Sequence, residues 1–178
     1  VTEIDYNAFS INTDAPLTFF IPDSVTNICI GSATMHPFGY NIAKILVDEN
    51  NPHYKDIDGN LYTKDGTILI QYAIDKAATS FTIPDGVTSI GSYAFYICRR
   101  VTSITIPNGV TSIGDGAFGV CTSLTSITIP DSVTSIGDGA FYSCYKLVEV
   151  INNSSHITVT KGSISNGYLG CYALARSE

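Results

Sequence analysis

The 178-residue chain has no tryptophan and a single methionine, and only 14% of its residues are charged. Lysine and arginine number 9 against 16 aspartates and glutamates, giving a net charge of −7 with no basic run anywhere. Polyanions are held by clustered cations, so neither nucleic acid nor an anionic membrane surface is an expected partner. No apolar stretch approaches the roughly 18 residues of a membrane-spanning helix, and no charged-then-apolar leader opens the chain, so no membrane insertion is expected of it.

Chemistry-bearing clusters are equally scarce. His36, His53 and His156 stand in unrelated segments with no apparent acid or base partner, which makes them turn or surface residues rather than general bases. Gly86-Val87-Thr88-Ser89-Ile90-Gly91 is one residue too long for a G-x-S-x-G nucleophile turn, and its return at 109–114 marks it as structural. Asp56-x-Asp58-x-Asn60 opens like a calcium loop. However, Leu61 stands where that loop needs glycine and Thr67 where it needs glutamate, so a hairpin turn is the better reading. No catalytic residue, cofactor or metal is expected.

What the chain does contain is a text repeated three times. Pro84, Pro107 and Pro130 recur at one constant interval, and Phe95, Phe118 and Phe141 keep the same interval, as do Cys98, Cys121 and Cys144. The 23-residue period they share identifies a solenoid whose units bury their apolar faces only by stacking on one another. In Leu124-Thr125-Ser126-Ile127-Thr128-Ile129 the L-x-x-L-x-L spacing turns Ile127 and Ile129 inward and Ser126 and Thr128 outward on a short strand. Proline then ends the strand, because it lacks the amide hydrogen a ladder needs. Val133-Thr134-Ser135-Ile136 makes a second extended piece, Gly137 a bend, and Ala140-Phe141-x-x-Cys144 has the spacing of a single inward-facing helical turn. The inward set of one coil is Ile106, Val110, Ile113, Ala117, Phe118, Cys121, Leu124 and Ile127.

Stacked coils lie about 4.7–4.9 Å apart, near enough for a disulfide, yet the three in-register cysteines read as packed thiols, in keeping with the buried habit of cysteine. Cys29 and Cys171 have no recognisable partner.

Four stretches follow. Residues 1–47 hold irregular N-terminal repeats, with Phe38 and Val47 taking the places of Phe118 and Ile127 and five extra residues bulging between Cys29 and Pro37. Residues 48–80 suspend the repeat with an inserted β-hairpin segment, in which Asp58-Gly59 and Asp65-Gly66 mark turns between two or three antiparallel strands packed beside the solenoid. Residues 81–150 are three regular coils. Residues 151–178 depart from the pattern, as a C-terminal cap or the start of a further domain. Val1 to Phe9 aligns with Val133 to Phe141, so the chain starts midway through a coil and is expected to be part of something longer.

The assembled unit, I-P-x-x-V-T-x-I-G-x-x-A-F-x-x-C, resembles the BspA-type, or treponemal-type, leucine-rich repeats of bacterial surface proteins. The resemblance is close over 81–150 and loose over 4–47, and the Asp58-Gly59-Asn60-Leu61-Tyr62 segment is similar to inserts of that family. It implies a β-rich α/β leucine-rich-repeat solenoid with 23-residue coils, short strands and single helical turns, secreted or anchored at the cell surface. It implies adhesion to host, matrix or other-cell ligands, with no enzymatic activity. The partner expected is an extracellular protein or glycan; a structural spacer presenting another domain is the alternative.

If the repeats bind, Ser80, Thr82, Ser103, Thr105, Ser126 and Thr128 form two parallel ladders on one flat, uncharged outward face, with Phe20 and Glu149 breaking the pattern as its most distinctive contacts. The plain alternative is that these hydroxyls fill β positions and pair across strands. Threonine ladders also suggest ice binding, but three rungs are few and the serines interrupt the array.

Overall fold

The computed structural model describes residues 1–5, 8, 15–30 and 41–158 and the backbone of 174–177. The bulge expected between Cys29 and Pro37, the place given to Phe38, and most of the expected C-terminal cap lie outside these residues.

The regular coils build two parallel sheets. The first joins β8 (Ser80–Thr82), β10 (Ser103–Thr105), β12 (Ser126–Ile129), β14 (Glu149–Asn152) and β15 (Leu174–Ser177), in that spatial order. The second joins β9 (Ser89–Ile90), β11 (Ser112–Ile113) and β13 (Ser135–Ile136). Their registers follow the repeat of the sequence: Ile104 lies opposite Ile127, and Ile113 opposite Ile136. β12 alternates exposed and buried side chains, with Ile127 and Ile129 inside and Ser126 and Thr128 outside. All eight residues of the inward set from Ile106 to Ile127 are buried. Phe95, Phe118 and Phe141 stack along the axis with centroids 5.2 Å apart at each step.

The expected helical turn is replaced by a non-helical one. Amides of Ala94, Tyr96 and Cys98 close four-residue turns on the carbonyls of Gly91, Tyr93 and Phe95, while the alternate amides of Tyr93, Phe95 and Ile97 donate to Asp115, Ala117 and Gly119 of the next coil. Half of the donors a helix would use are therefore taken by the neighbouring coil. Left-handed residues at Tyr93 (φ 60°) and Ile97 (φ 62°) punctuate the turn, and Gly116 and Gly139 occupy the position equivalent to Tyr93, where the missing Cβ removes the steric cost. No helix occurs among the described residues.

The 48–80 stretch does not pack beside the solenoid. β5 (Tyr54–Ile57) and β7 (Ile68–Gln71) each pair antiparallel with β6 (Asn60–Thr63), and β7 pairs in parallel with β9, so all three strands continue the second sheet. Asp58 and Gly59 both have positive φ, the two-residue turn that suits the twist of a hairpin. β6 separates two cores. Its side chains alternate, so Tyr62 enters the main core while Leu61 enters a second one with Ile4, Ile21, Val25, Ile28, Ile42 and Ile45. That explains why a hairpin strand is buried on both faces.

The N-terminal coils form two small parallel pairs, β1 (Glu3–Ile4) with β3 (Asn27–Ile28) and β2 (Leu17–Ile21) with β4 (Ile42–Val47). Val47 lies opposite Ile21, which precedes Pro22 as Ile129 precedes Pro130. It is therefore the buried Ile45, not Val47, that takes the place of Ile127.

Candidate functional site

Strand pairing brings Ser80, Ser103 and Ser126 into one row, with Glu149 as its next member, and Thr82 beside Thr105 in a second row that Thr128 continues. All six hydroxyl residues are exposed, and Glu149 is half-buried. Phe20 is not part of this array. It is paired with Leu46 in the separate β2–β4 sheet, 56% exposed.

Hydroxyls elsewhere in the coils bond backwards. Thr102 and Thr125 donate from Oγ1 to the carbonyls of Thr79 and Thr102, at 3.0 and 3.2 Å. Thr111 and Thr134 donate in the same way to Thr88 and Thr111, both at 3.1 Å, and Ser112 Oγ lies 2.8 Å from Ser89 Oγ. The six hydroxyls of the face have no hydrogen-bond partner among the described residues, so the expected pairing across strands does not occur. Geometry accounts for the difference. Inside a strand the carbonyls lie in the plane of the sheet and the side chains stand perpendicular to it. The other threonines sit where the chain bends, beside a carbonyl of the preceding coil.

Nor is the face flat. Two of its rungs and the turns that follow them border an open groove of about 740 Å³, lined by the polar Ser103, Thr105, Asn108, Ser126, Thr128, Asp131, Ser132 and Asn153 and by Ile104, Ile106, Ile127 and Pro130. Asp131 is held in place, since its Oδ1 accepts from the amide and hydroxyl of Ser155, each at 3.3 Å. The lining contains no lysine or arginine. Sequence reasoning missed Asn108 and Asp131. The available signal was the polar residue that follows each strand-ending proline, at Asp85, Asn108 and Asp131.

Groups elsewhere are engaged in structure. Cys98, Cys121 and Cys144 are buried, and the thiols of Cys121 and Cys144 donate to the carbonyls of Phe95 and Phe118 at 3.2 and 3.0 Å. Burial pushes the Cys121 thiol far above its usual pKa. Of the candidate calcium-loop residues, Asp56 accepts from the amide of Val47, and Asn60 accepts from Ala73 while donating to Ile57. Among the described residues, no three His, Cys, Asp or Glu side chains converge as metal ligands, and no helix is long and apolar enough to cross a membrane. His53 is exposed, with its ring 6.2 Å from that of Tyr54, and His156 is exposed in the turn after β14; His36 lies outside the described residues.

Parallel coils of constant length, an aliphatic and phenylalanine core, and one outward face of unpaired hydroxyls define a bacterial-type leucine-rich-repeat solenoid. The chain belongs to the BspA-type family: the model of the "BspA type Leucine rich repeat region" matches residues 72–174 in six copies. A leucine-rich repeat protein from Eubacterium ventriosum is 38% identical, with a TM-score of 0.72 over 78% of this chain and 36% of its own. A leucine rich cell surface protein from Faecalibacterium prausnitzii is 25% identical, with a TM-score of 0.61 over 99% of this chain and 51% of its own. The pneumococcal vaccine antigen PcpA shares the fold at 21% identity and a TM-score of 0.63, over 88% of this chain and 45% of its own. The chain thus spans between about a third and a half of each of these structures. No curated protein matches it.

Proposed function

We propose that the chain is a non-enzymatic interaction segment of a secreted or surface-exposed bacterial protein, which binds host, matrix or other-cell ligands through the ladder groove. The observation that carries this reading is the contrast between hydroxyl rows: the threonines at the bends are hydrogen-bonded into the coil stack, whereas those facing the groove are unpaired. Internal stability does not require an exposed row of hydroxyls without partners, and a ligand would use them. Likeness to a leucine rich cell surface protein supports the extracellular setting.

The spacer reading draws on the same coil-to-coil hydrogen bonds, which make the stack stiff. One variant separates the two. Replacing Thr82, Thr105 and Thr128 with lysine should abolish binding of the chain to matrix proteins or glycans at physiological salt if the groove is the site. A chain that binds none of them, or binds as well with the three lysines in place, would support a spacer.

A further inference from the structure

We infer that the groove takes an uncharged polysaccharide rather than a folded protein or an anionic glycan. This rests on the groove being a binding site at all. Its lining offers four hydroxyls from Ser103, Thr105, Ser126 and Thr128, the side-chain amide of Asn108 and the carboxylate of Asp131. Hydroxyls both donate and accept, an amide does each with a different atom, and a carboxylate accepts only. A sugar hydroxyl can satisfy any of them.

Charge removes one competitor. A sulfated or uronic-acid chain would meet Asp131 in the groove, with no cation in the lining to offset it. The net charge of −7 opposes its approach as well.

Chemistry argues against the other. Protein partners are held by aromatic and arginine anchors seated in desolvated pockets. The large exposed apolar side chains of the described residues, including Phe20, Ile68, Tyr145 and Val148, all stand outside the lining. A protein surface pressed on the ladder would instead strip water from hydroxyls it could not all pair, which is costly for each group left without a partner.

Spacing and volume fit a sugar chain. Rungs repeat roughly every 4.8 Å across the sheet, the length scale of one sugar ring, so an extended chain lying along the solenoid axis meets a fresh Ser/Thr pair at each coil. The groove volume falls within the range of about 300–1,000 Å³ typical of small-molecule sites, enough for a few rings and too small for a folded domain.

The test uses the whole 178-residue chain in native gels cast with mannan, dextran or galactan, beside gels with heparin or hyaluronan and beside immobilised collagen and laminin. A variant with Ser103→Ala, Thr105→Val, Ser126→Ala and Thr128→Val removes the hydroxyls while keeping the strand shape. Those groups have no internal partner, so its circular dichroism and thermal midpoint should match the parent. Asn108→Ala is a second, single-site variant. Retardation by at least one neutral polysaccharide, weakened tenfold or more in the four-site variant and measurably in Asn108→Ala, is the expected result. Retardation unchanged in both variants would overturn the inference, as would retardation by heparin or hyaluronan alone. Binding only to collagen or laminin, lost with lysine at 82, 105 and 128, would overturn the glycan class while keeping the groove as the binding site. No binding to any probe would overturn both.

Discussion

The ring of Tyr142 lies across the backbone of Gly119, one coil before it, and covers the place where a Cβ would stand. Tyr93 covers Gly116 in the same way. The two glycines are buried by side chains of neighbouring coils, and the gap at Gly119 lets Tyr96 and Tyr142, two coils apart, approach to 6.0 Å between centroids. Repeat symmetry is broken here in a complementary way, with Tyr, Gly and Tyr at positions 96, 119 and 142.

Gly119→Ala should therefore force the Tyr142 ring aside and destabilise the chain by about 1–3 kcal/mol, as overpacking does. Adding Tyr142→Gly to that variant should recover part of the loss. Chemical denaturation of the two single variants and the double checks this; strictly additive effects would show that the ring does not rest on the glycine.

Phe118 is fully buried between Phe95 and Phe141, with ring planes tilted only 18° and 4° from theirs. Phe118→Ala should cost about 3–5 kcal/mol, the usual range for a core phenylalanine. An unchanged denaturation midpoint would be incompatible with the stacked column.

Tyr72 stacks on Phe95 at 5.0 Å, which makes it the fourth member of that column, one full repeat before Phe95. Its hydroxyl is buried with no hydrogen-bond partner among the described residues. Removing an unpaired buried polar group relieves its desolvation, so Tyr72→Phe should raise stability by about 1 kcal/mol. A lower thermal midpoint in the variant would contradict this.

Asp65 accepts from the hydroxyls of Thr63 and Thr67 and from the amide of Thr67, at 2.6, 2.9 and 3.0 Å. These bonds favour the ionised form and lower its pKa from 3.8 to about 2. A lowered folded-state value stabilises the fold above the unfolded-state pKa, and the benefit is lost as pH falls through the folded one. Wild type should therefore exceed Asp65→Asn in stability above pH about 4, with the gap closing towards pH about 2. Denaturant midpoints across that range measure it; a constant gap would point to a cause other than ionisation.

Native-state alkylation should leave Cys98, Cys121 and Cys144 untouched while the partly exposed Cys29 reacts, slowly because its hydrogen bond to Glu3 raises the thiol's pKa. Peptide mapping before and after unfolding reads this directly.

The solenoid was legible because each coil repeats one environment, so residues at equal positions face equal constraints. Ile113, Phe118 and Leu124 announce their burial simply by recurring as the same or a similar residue one coil away. Interactions between coils were harder to read. The spacing of Ala117, Phe118 and Cys121 suits a helical turn and a non-helical one equally, and what decides is that the amide of Phe118 bonds to Ala140 in the next coil. Tyr72 reads in the sequence as a hairpin tyrosine, and its place in the phenylalanine column is hidden because β7 pairs with β9 at an offset shorter than the repeat, Ile68 with Ser89, and the full period returns only at the aromatic ring. The groove was half visible: its hydroxyls were identified, but Thr102, Thr105 and Thr111 look alike in a sequence, and only the path of the folded chain decides which oxygen reaches a carbonyl.

The hydrogen bonds at each junction also have a direction. Thr111 and Thr134 donate to the coil before them, while Phe95 and Phe118 donate to the coil after. Each edge of a regular coil thus offers donors at one corner and acceptors at another, in the same arrangement from one coil to the next. A gene encoding such a body can gain or lose whole repeat units by duplication or deletion while keeping the same backbone junction between coils, and only side chains that break the repeat, such as Tyr96, Gly119 and Tyr142, need to be rematched. Any other change of length must be absorbed locally, and the β5–β7 hairpin, seated between two cores, is a case of such absorption. Length in this architecture is a heritable variable that can change independently of stability per coil.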